Sequence, residues 1–282
     1  MADVQDIMVK GPTGRLAVRA KGFAARPKQA VVLVQGANVT GQSGYDFSFP
    51  GSRDYSFLDA LVAAGFGAVT FALRGYGPSD PAPDPQNITT DDAIADLAAV
   101  IDWMASQGHA RPHVLGWSWG GRIAGRFCER AAERVDRLIL MDPALGGGQL
   151  ILPGPSGPFA HNTEADYLKR LQPEFTEPDA HAAFAKHVAL HDAKSPSGIL
   201  TENAKGSIPV RPEAITRPTL LIYGHAAARQ NYMQGIMPRG EFWEKLATED
   251  KALVLVPGGG DYAHLQRPRR LIHRAVIRFL DP

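Results

Sequence analysis

The sequence predicts an α/β protein whose mostly parallel sheet is covered by helices on both faces. Two observations carry this. Short, continuously apolar runs such as Ala30-Val31-Val32-Leu33-Val34 and Leu138-Ile139-Leu140-Met141 have no polar side to turn toward water, so both of their faces must be covered. Segments with apolar residues at helical spacing stand between these runs, and such alternation is the pattern of parallel crossover units. The 282 residues, 44% hydrophobic and 21% charged, supply enough apolar surface for one sizeable core.

Leu16 to Phe23 is predicted as a strand, followed by Ala30 to Gln35, which stops at Gly36. A helix from Tyr55 to Ala64 ends at Gly65, in the position of a C-terminal cap. The strand Gly67 to Leu73 is halted by Arg74-Gly75-Tyr76-Gly77-Pro78. Thr90-Asp91-Asp92 then opens a long helix running to Gln107, because a small hydroxyl and two carboxylates suit the free N–H groups of a first turn. His113-Val114-Leu115, Leu138 to Met141, Thr219 to Tyr223 and Ala252 to Val256 continue an expected eight-stranded sheet. The last helix, Arg267 to Leu280, carries Leu271, Ile272, Ala275, Val276 and Phe279 at helical spacing.

One segment breaks the alternation. From Ala144 to Thr216 no convincing strand is seen; a glycine-rich entry, Gly146-Gly147-Gly148, leads to helical patterns at Thr163 to Leu171 and Pro178 to His191. The expected organisation is a core of residues 1–143 and 217–282 with a helical cap or lid at 144–216, its glycines serving as a hinge.

A formal net charge of +1 offers no attraction to nucleic acid or an anionic membrane. Cys128 is the single cysteine, so no intrachain disulfide forms, and its helical position reads as a small buried thiol. Met1 to Asp6 lacks the basic and apolar regions of a signal peptide, and no apolar run reaches the length of a membrane span. The expected location is cytoplasmic.

The chemistry concentrates in Gly116-Trp117-Ser118-Trp119-Gly120-Gly121. An apolar run precedes it and a helix-like segment, Arg122 to Phe127, follows, which is the setting in which G-x-S-x-G forms a nucleophile elbow. A strand reversing sharply into a helix brings backbones together where a Cβ would collide, and glycine removes that Cβ. The turn presents the Ser118 hydroxyl at the sheet edge, and the helix N-terminus offers N–H groups to a developing oxyanion.

Further residues extend the pattern: the strand ending at Gln35-Gly36, the turn Leu73-Arg74-Gly75-Tyr76-Gly77-Pro78-Ser79, the late strand ending Tyr223-Gly224, and His264 after the glycine-rich loop at 257–260. With the Ser118 elbow they resemble the α/β-hydrolase family over essentially the whole chain. The resemblance implies the α/β-hydrolase fold, a serine hydrolase with the order Ser…Asp…His, a helical cap and no cofactor. Ser118 is then the nucleophile and His264 the general base, delivered by a loop beyond the last strand. In most of the family the acid follows the strand that ends here at Gly224, but His225-Ala226-Ala227-Ala228-Arg229 contains no carboxylate. Another family arrangement puts the acid one strand earlier, where Asp142 stands; Asp261 and the absence of any acid are the alternatives. The resemblance assigns the oxyanion hole to the N–H groups of Ala37 and Trp119, with Gln35-Gly36 where relatives usually have His-Gly. Asn38 either points its amide into the site or closes the turn, and Tyr45, Phe47 and Phe49 form either an aromatic flap or ordinary packing. Asn38, Tyr45 and Phe47 are the candidate substrate contacts.

Other readings of single motifs are weaker. Gly36 to Ser43 has the spacing of a phosphate-binding loop, but Gln42 replaces its lysine and the next residues do not read as the required helix. His181, His187 and His191 lack the glutamate and third ligand of a zinc helix, so no metal is expected. Trp117 and Trp119 read as core residues. The expected reaction is hydrolysis of a small or medium apolar ester or lactone through an acyl-enzyme, with acyl transfer or cleavage of a diketone carbon–carbon bond using the same parts. A non-catalytic ligand-binding protein on the same scaffold is the alternative from another class. The expected partner is a small-molecule substrate, with neither nucleic acid nor membrane, and a homodimer is left open.

Overall fold

The computed structural model describes residues 3–52, 54–150, 154–227, 233–234 and 237–281. Eight strands form one sheet: β1 (Val4–Lys10), β2 (Arg15–Lys21), β3 (Ala30–Val34), β4 (Gly67–Phe71), β5 (His113–Trp117), β6 (Leu138–Met141), β7 (Thr219–Gly224) and β8 (Lys251–Val256), in the order β1-β2-β4-β3-β5-β6-β7-β8. The pairings of β2 with β1 and β4 are antiparallel, and all the others are parallel. The expected architecture is therefore present. β1 is the addition; of its residues only Val9 is buried, so it has almost no apolar signature for a sequence reading to find.

Alternation along the central strands divides the core into two layers. Val32, Val34, Val114, Leu138 and Leu140 face helices α3 (Thr90–Ser106) and α4 (Trp119–Arg130), which contribute Leu97, Ile101, Ile123 and Phe127. Val31, Leu33, Leu115, Trp117, Ile139 and Met141 face the opposite layer, where α2 (Phe57–Ala63) and the last helix (Arg269–Leu280) supply Leu58, Leu61, Ile272 and Val276. Helix α3 starts on a capping box between Thr89 and Asp92, one residue before the predicted cap. The loop after β3 contains a single helical turn, α1 (Gly41–Tyr45), that the sequence did not announce.

The segment between β6 and β7 contains α5 (Glu164–Arg170), α6 (Pro178–His191) and α7 (Gly198–Lys205), followed later in the chain by α8 (Arg239–Glu244) and α9 (Arg269–Leu280). Helix α7 was not expected. Nor were two short ribbons, Phe159–His161 with Lys194–Pro196 and Gln149–Leu150 with Met233–Gln234. Strands of two or three residues are too short to show a period, which is why the sequence conceals them. Among the described residues no helix is long and apolar enough to cross a membrane.

Register places the site. Val34 pairs with Gly116, Trp117 with Met141, and Met141 with Ile222. The carboxyl ends of β3, β5, β6 and β7 thus finish side by side, gathering Gly36, Ser118, Asp142 and Tyr223 on one edge of the sheet.

Candidate active site

Ser118 occupies a backbone conformation that side chains rarely adopt, with φ 54° and ψ −118°. Such a residue carries on the order of 1–3 kcal/mol of strain, sustained by its surroundings. The surroundings are visible: a Cβ on Gly116 would lie 2.1 Å from the Gly120 carbonyl oxygen, and one on Gly120 would lie 2.2 Å from that of Val34. The Ser118 N–H donates to Met141 O at 3.0 Å, while its own carbonyl accepts from Ala144 at 2.8 Å and Gly121 at 3.0 Å. Ser118 is partly exposed at the turn.

The loop after β3 passes close by, since a Cβ on Gly36 would lie 3.4 Å from Ser118 Cβ. No hydrogen bond among the described residues engages the N–H of Ala37 or Trp119. The loop itself is fastened from several sides. Tyr76 Oη donates to Ala37 O at 2.8 Å, and Asn162 Nδ2 donates to Asn38 O at 2.8 Å and Asp192 O at 2.7 Å. Asp192 Oδ2 accepts from the N–H and Oγ1 of Thr40, both at 3.3 Å, and Ser43 Oγ pairs with His187 Nε2 at 2.9 Å. Buried Gln35 accepts the Leu73 N–H at 3.1 Å, tying this loop to the one after β4.

Trp119 also anchors the far side of the elbow. Its Nε1 donates to Thr90 Oγ1 at 3.0 Å, which donates to Glu202 Oε1 at 2.7 Å. Glu202 pairs in turn with buried Arg122 at 3.1 Å, so the nucleophile helix, α3 and α7 share one polar network.

Asp142 ends β6 with φ 38° and is buried beside the elbow. Its Oδ1 accepts the Gly224 N–H at 2.9 Å, and its Oδ2 is buried without a hydrogen-bond partner. Burial, and then the charge of Asp261, push its pKa well above the ordinary carboxylate range.

His264 is not joined to these groups. It lies on a one-turn 3₁₀ helix, Ala263–Leu265, buried in the layer that holds Trp117. Its ring sits 4.6 Å from the Trp117 ring and 5.7 Å from that of Tyr45, centroid to centroid. Neither ring nitrogen makes a hydrogen bond of normal geometry, and no ion pair links it to Asp142 or Asp261. Burial and the neighbouring His273 lower its pKa from 6.5 to about 3, only slightly offset by the Gly44 backbone. The ring is neutral at pH 7.

The candidate substrate contacts are distributed differently from the expected flap. Tyr45 is fully buried, its hydroxyl committed to Val34 O at 2.8 Å. Phe47 is also buried, packed against Phe49, Tyr55, Phe184 and His187. Both serve the core. Asn38 is partly exposed, and it is its carbonyl that the structure engages. Of the segment 225–229, Ala228 and Arg229 lie outside the described residues. Cys128 is buried, its thiol pushed up to about 12.

Three residues at this edge were not anticipated. Tyr223 and Arg239 lie within electrostatic reach of Asp142, and the Arg239 guanidinium stacks 4.0 Å from the Tyr223 ring centroid. The Tyr223 hydroxyl and Arg239 Nη1 are both buried without hydrogen-bond partners. Asp192 is the third, half the chain away from the loop it holds. Only the strand position of Tyr223 was legible; neither Arg239 nor Asp192 belongs to a motif.

Comparison with known proteins identifies the family and the fold. A 2-hydroxy-6-oxononadienedioate/2-hydroxy-6-oxononatrienedioate hydrolase of Paraburkholderia phymatum is 31% identical over 134 residues, 46% of this chain and 41% of that protein. Epoxide hydrolase 2 of Siraitia grosvenorii is 30% identical over 79 residues, 28% of this chain and 24% of that one. The matched stretches thus span less than half the length of these curated relatives. Among solved structures, the 2-hydroxy-6-oxo-6-phenylhexa-2,4-dienoate hydrolase of a Rhodococcus species superposes with a TM-score of 0.72 at 17% identity, covering 100% of both chains. An esterase from Exiguobacterium antarcticum gives 0.71 at 17% identity over 99% of this chain and 100% of that one. The profile of the Alpha/beta hydrolase family matches residues 31–274, and the chain belongs to that family.

Proposed function

We propose that the protein is a serine-nucleophile hydrolase acting on a small carbonyl compound, an ester or lactone, through an acyl-enzyme on Ser118. The observation that carries this reading is the strained, partly exposed Ser118 turn. Such strain persists where a hydroxyl must be held out of the sheet toward a reacting carbonyl. Oγ gives up its proton and attacks the carbonyl carbon, and the oxyanion forms against the N–H groups of Ala37 and Trp119; its collapse breaks the bond to the leaving oxygen, which takes up that proton, and water then cleaves the acyl-enzyme, releasing the acid and restoring the Ser118 hydroxyl. The segment at 144–216 acts as a cap, since its residues reach the oxyanion loop directly. Burial of Tyr45 and Phe47 removes the aromatic flap as a reason to favour apolar substrates.

Carbon–carbon bond hydrolysis is the second reading, supported by the names of the hydrolases the chain resembles in sequence and fold. The isolation of His264 favours a third, a ligand-binding protein without turnover. A fluorophosphonate probe separates them. Hydrolysis predicts a covalent adduct mapped by mass spectrometry to Ser118, lost in Ser118→Ala. Folded, unlabelled protein that binds small carbonyl compounds without consuming them would sink the enzymatic readings. Product analysis with an ester and a diketone, with an added alcohol as acceptor, then divides hydrolysis from acyl transfer and from carbon–carbon cleavage.

A further inference from the structure

The indole of Trp117 is the part of the elbow that other loops reach. It is buried and touches two of them. A Cβ on Gly36, in the loop after β3, would lie 3.2 Å from the ring. From the loop after β8, the rings of Tyr262 and His264 stand 4.9 Å and 4.6 Å away, centroid to centroid. The indole Nε1–H donates to Asp261 O at 2.7 Å, and the residue after Trp117 is Ser118 itself. Whatever sets the backbone at 260–261 therefore bears on the Ser118 turn through one rigid ring.

One buried side chain sets that backbone. Gln266 reaches back across the 3₁₀ turn, and its Oε1 accepts the Gly260 N–H at 2.7 Å. Its Nε2 donates at 2.7 Å to the carbonyl of Leu171, the residue that caps α5 in the segment at 144–216. These two partners leave the amide a single orientation, since a backbone N–H only donates and a carbonyl only accepts. The turn that Gln266 grips is strained: Gln172 has φ 54°, and a Cβ on Gly260 would lie 1.5 Å from Gln172 Oε1. Such a conformation persists where its surroundings over-determine it. Here the Thr176 hydroxyl donates to the same Leu171 carbonyl at 2.7 Å, and the Arg267 N–H donates to Phe175 O at 2.9 Å.

We propose that Gln266 is a positioning residue for the Ser118 turn, acting through Gly260, Asp261 and the Trp117 indole, with its amide aimed by Leu171. This rests on the reading of Ser118 as the nucleophile. Gln266 itself touches no reacting atom. It fixes the loop at 260 so that Asp261 O meets the indole N–H, and the ring so held steadies the backbone that presents Oγ. A displacement of about 1 Å at a reacting group costs about 100-fold in rate, so a bond this far from the chemistry reaches it. An apolar side chain at 266 leaves the Gly260 N–H without its acceptor and the loop free to drift. A carboxyl group there still offers that acceptor, whether ionised or protonated.

The test compares Gln266→Met, Gln266→Glu, Trp117→Phe and the double variant Gln266→Met/Trp117→Phe in the full chain, with folding checked by circular dichroism. A fluorophosphonate is titrated so that the maximal rate of Ser118 labelling separates from the concentration giving half that rate. Gln266→Met is expected to lower the maximal rate about 10-fold or more, with the half-saturating concentration within about threefold of wild type. Gln266→Glu should recover most of the loss. Trp117→Phe should lose rate as well, and the double variant should lose no more than the worse single one, because both changes cut the same line. The indole N–H resonance of Trp117, identified by its absence in Trp117→Phe, should shift and exchange faster in Gln266→Met and return in Gln266→Glu. Labelled wild type with folded Gln266→Met within about threefold of its maximal rate overturns the role and leaves Ser118 as nucleophile. Losses that multiply in the double variant, or a Trp117 resonance unmoved in Gln266→Met, overturn it too. Should Gln266→Met fail to fold, Trp117→Phe labelling at the wild-type maximal rate overturns the role. A wild type that is folded and unlabelled removes the nucleophile reading, and the positioning role falls with it.

Discussion

The turn after β5 and the loop after β8 leave the same edge of the sheet, yet one leaves Ser118 partly exposed and the other buries His264. Ser118 is held outward because its neighbours at 116 and 120 have no Cβ and the backbones touch. His264 follows a longer run, Gly258-Gly259-Gly260-Asp261-Tyr262-Ala263, whose glycines also pack closely: a Cβ on Gly259 would lie 2.7 Å from Ala263 Cβ, and one on Gly260 would lie 1.5 Å from Gln172 Oε1. There a 3₁₀ turn carries the histidine into the apolar layer, against the Trp117 ring. A tight turn assigns its residues by steric exclusion, whereas a long loop assigns them by what its last turn packs against.

The sharpest way to break this comparison is Ser118→Ala, which should remove all covalent labelling and all turnover while the fold persists, since the smaller side chain only relaxes the turn. Gly120→Ala comes next. Its new Cβ would meet the Val34 carbonyl, so we expect a loss of about 3 kcal/mol in chemical denaturation and little remaining labelling. Gly258→Ala, at the open entry of the loop after β8, meets no atom within 4 Å but stands at φ +67°, so it should cost only about 1 kcal/mol. Equal costs for the two would erase the distinction between the two positions.

Asn162→Ala probes the strap on the oxyanion loop. It frees the Asn38 carbonyl while touching no reacting group, so kcat for a nitrophenyl ester should fall about tenfold with KM nearly unchanged, the signature of a displaced oxyanion donor. An unchanged kcat would show the loop holding its shape unaided.

The smallest effect concerns pH. Burial lowers the imidazoles of His113, His187 and His273 to about 4 and that of His264 to about 3. The unfolded chain takes up protons that the folded chain refuses, so this contribution is complete above about pH 6.5 and is lost as pH falls toward 4. The Tm should drop between pH 7 and pH 5, and the drop should be shallower in His264→Gln. A Tm independent of pH over this range would contradict the burial of these rings.

Much of the fold was legible because buried parallel strands must be apolar on both sides, and that leaves continuous runs such as Val31 to Val34. β1 escaped because its Val4 and Met8 are exposed at the sheet edge. The positions of Ser118 and Asp142 at the sheet edge could be read because each directly follows a strand, and strand register fixes where such a residue goes. Asn162 and Asp192 could not, for they act on a loop more than a hundred residues earlier in the chain, through contacts that leave no spacing in the sequence.

Those two residues have a consequence for how substrate is admitted. Residues of the segment at 144–216 also supply the fastenings of the loop after β3. On the proposed reading of that segment as a cap, lifting it for entry would release Asn38 and Thr40, and lowering it would set them again. Admission and competence would then exclude one another: an open molecule would be a disarmed one.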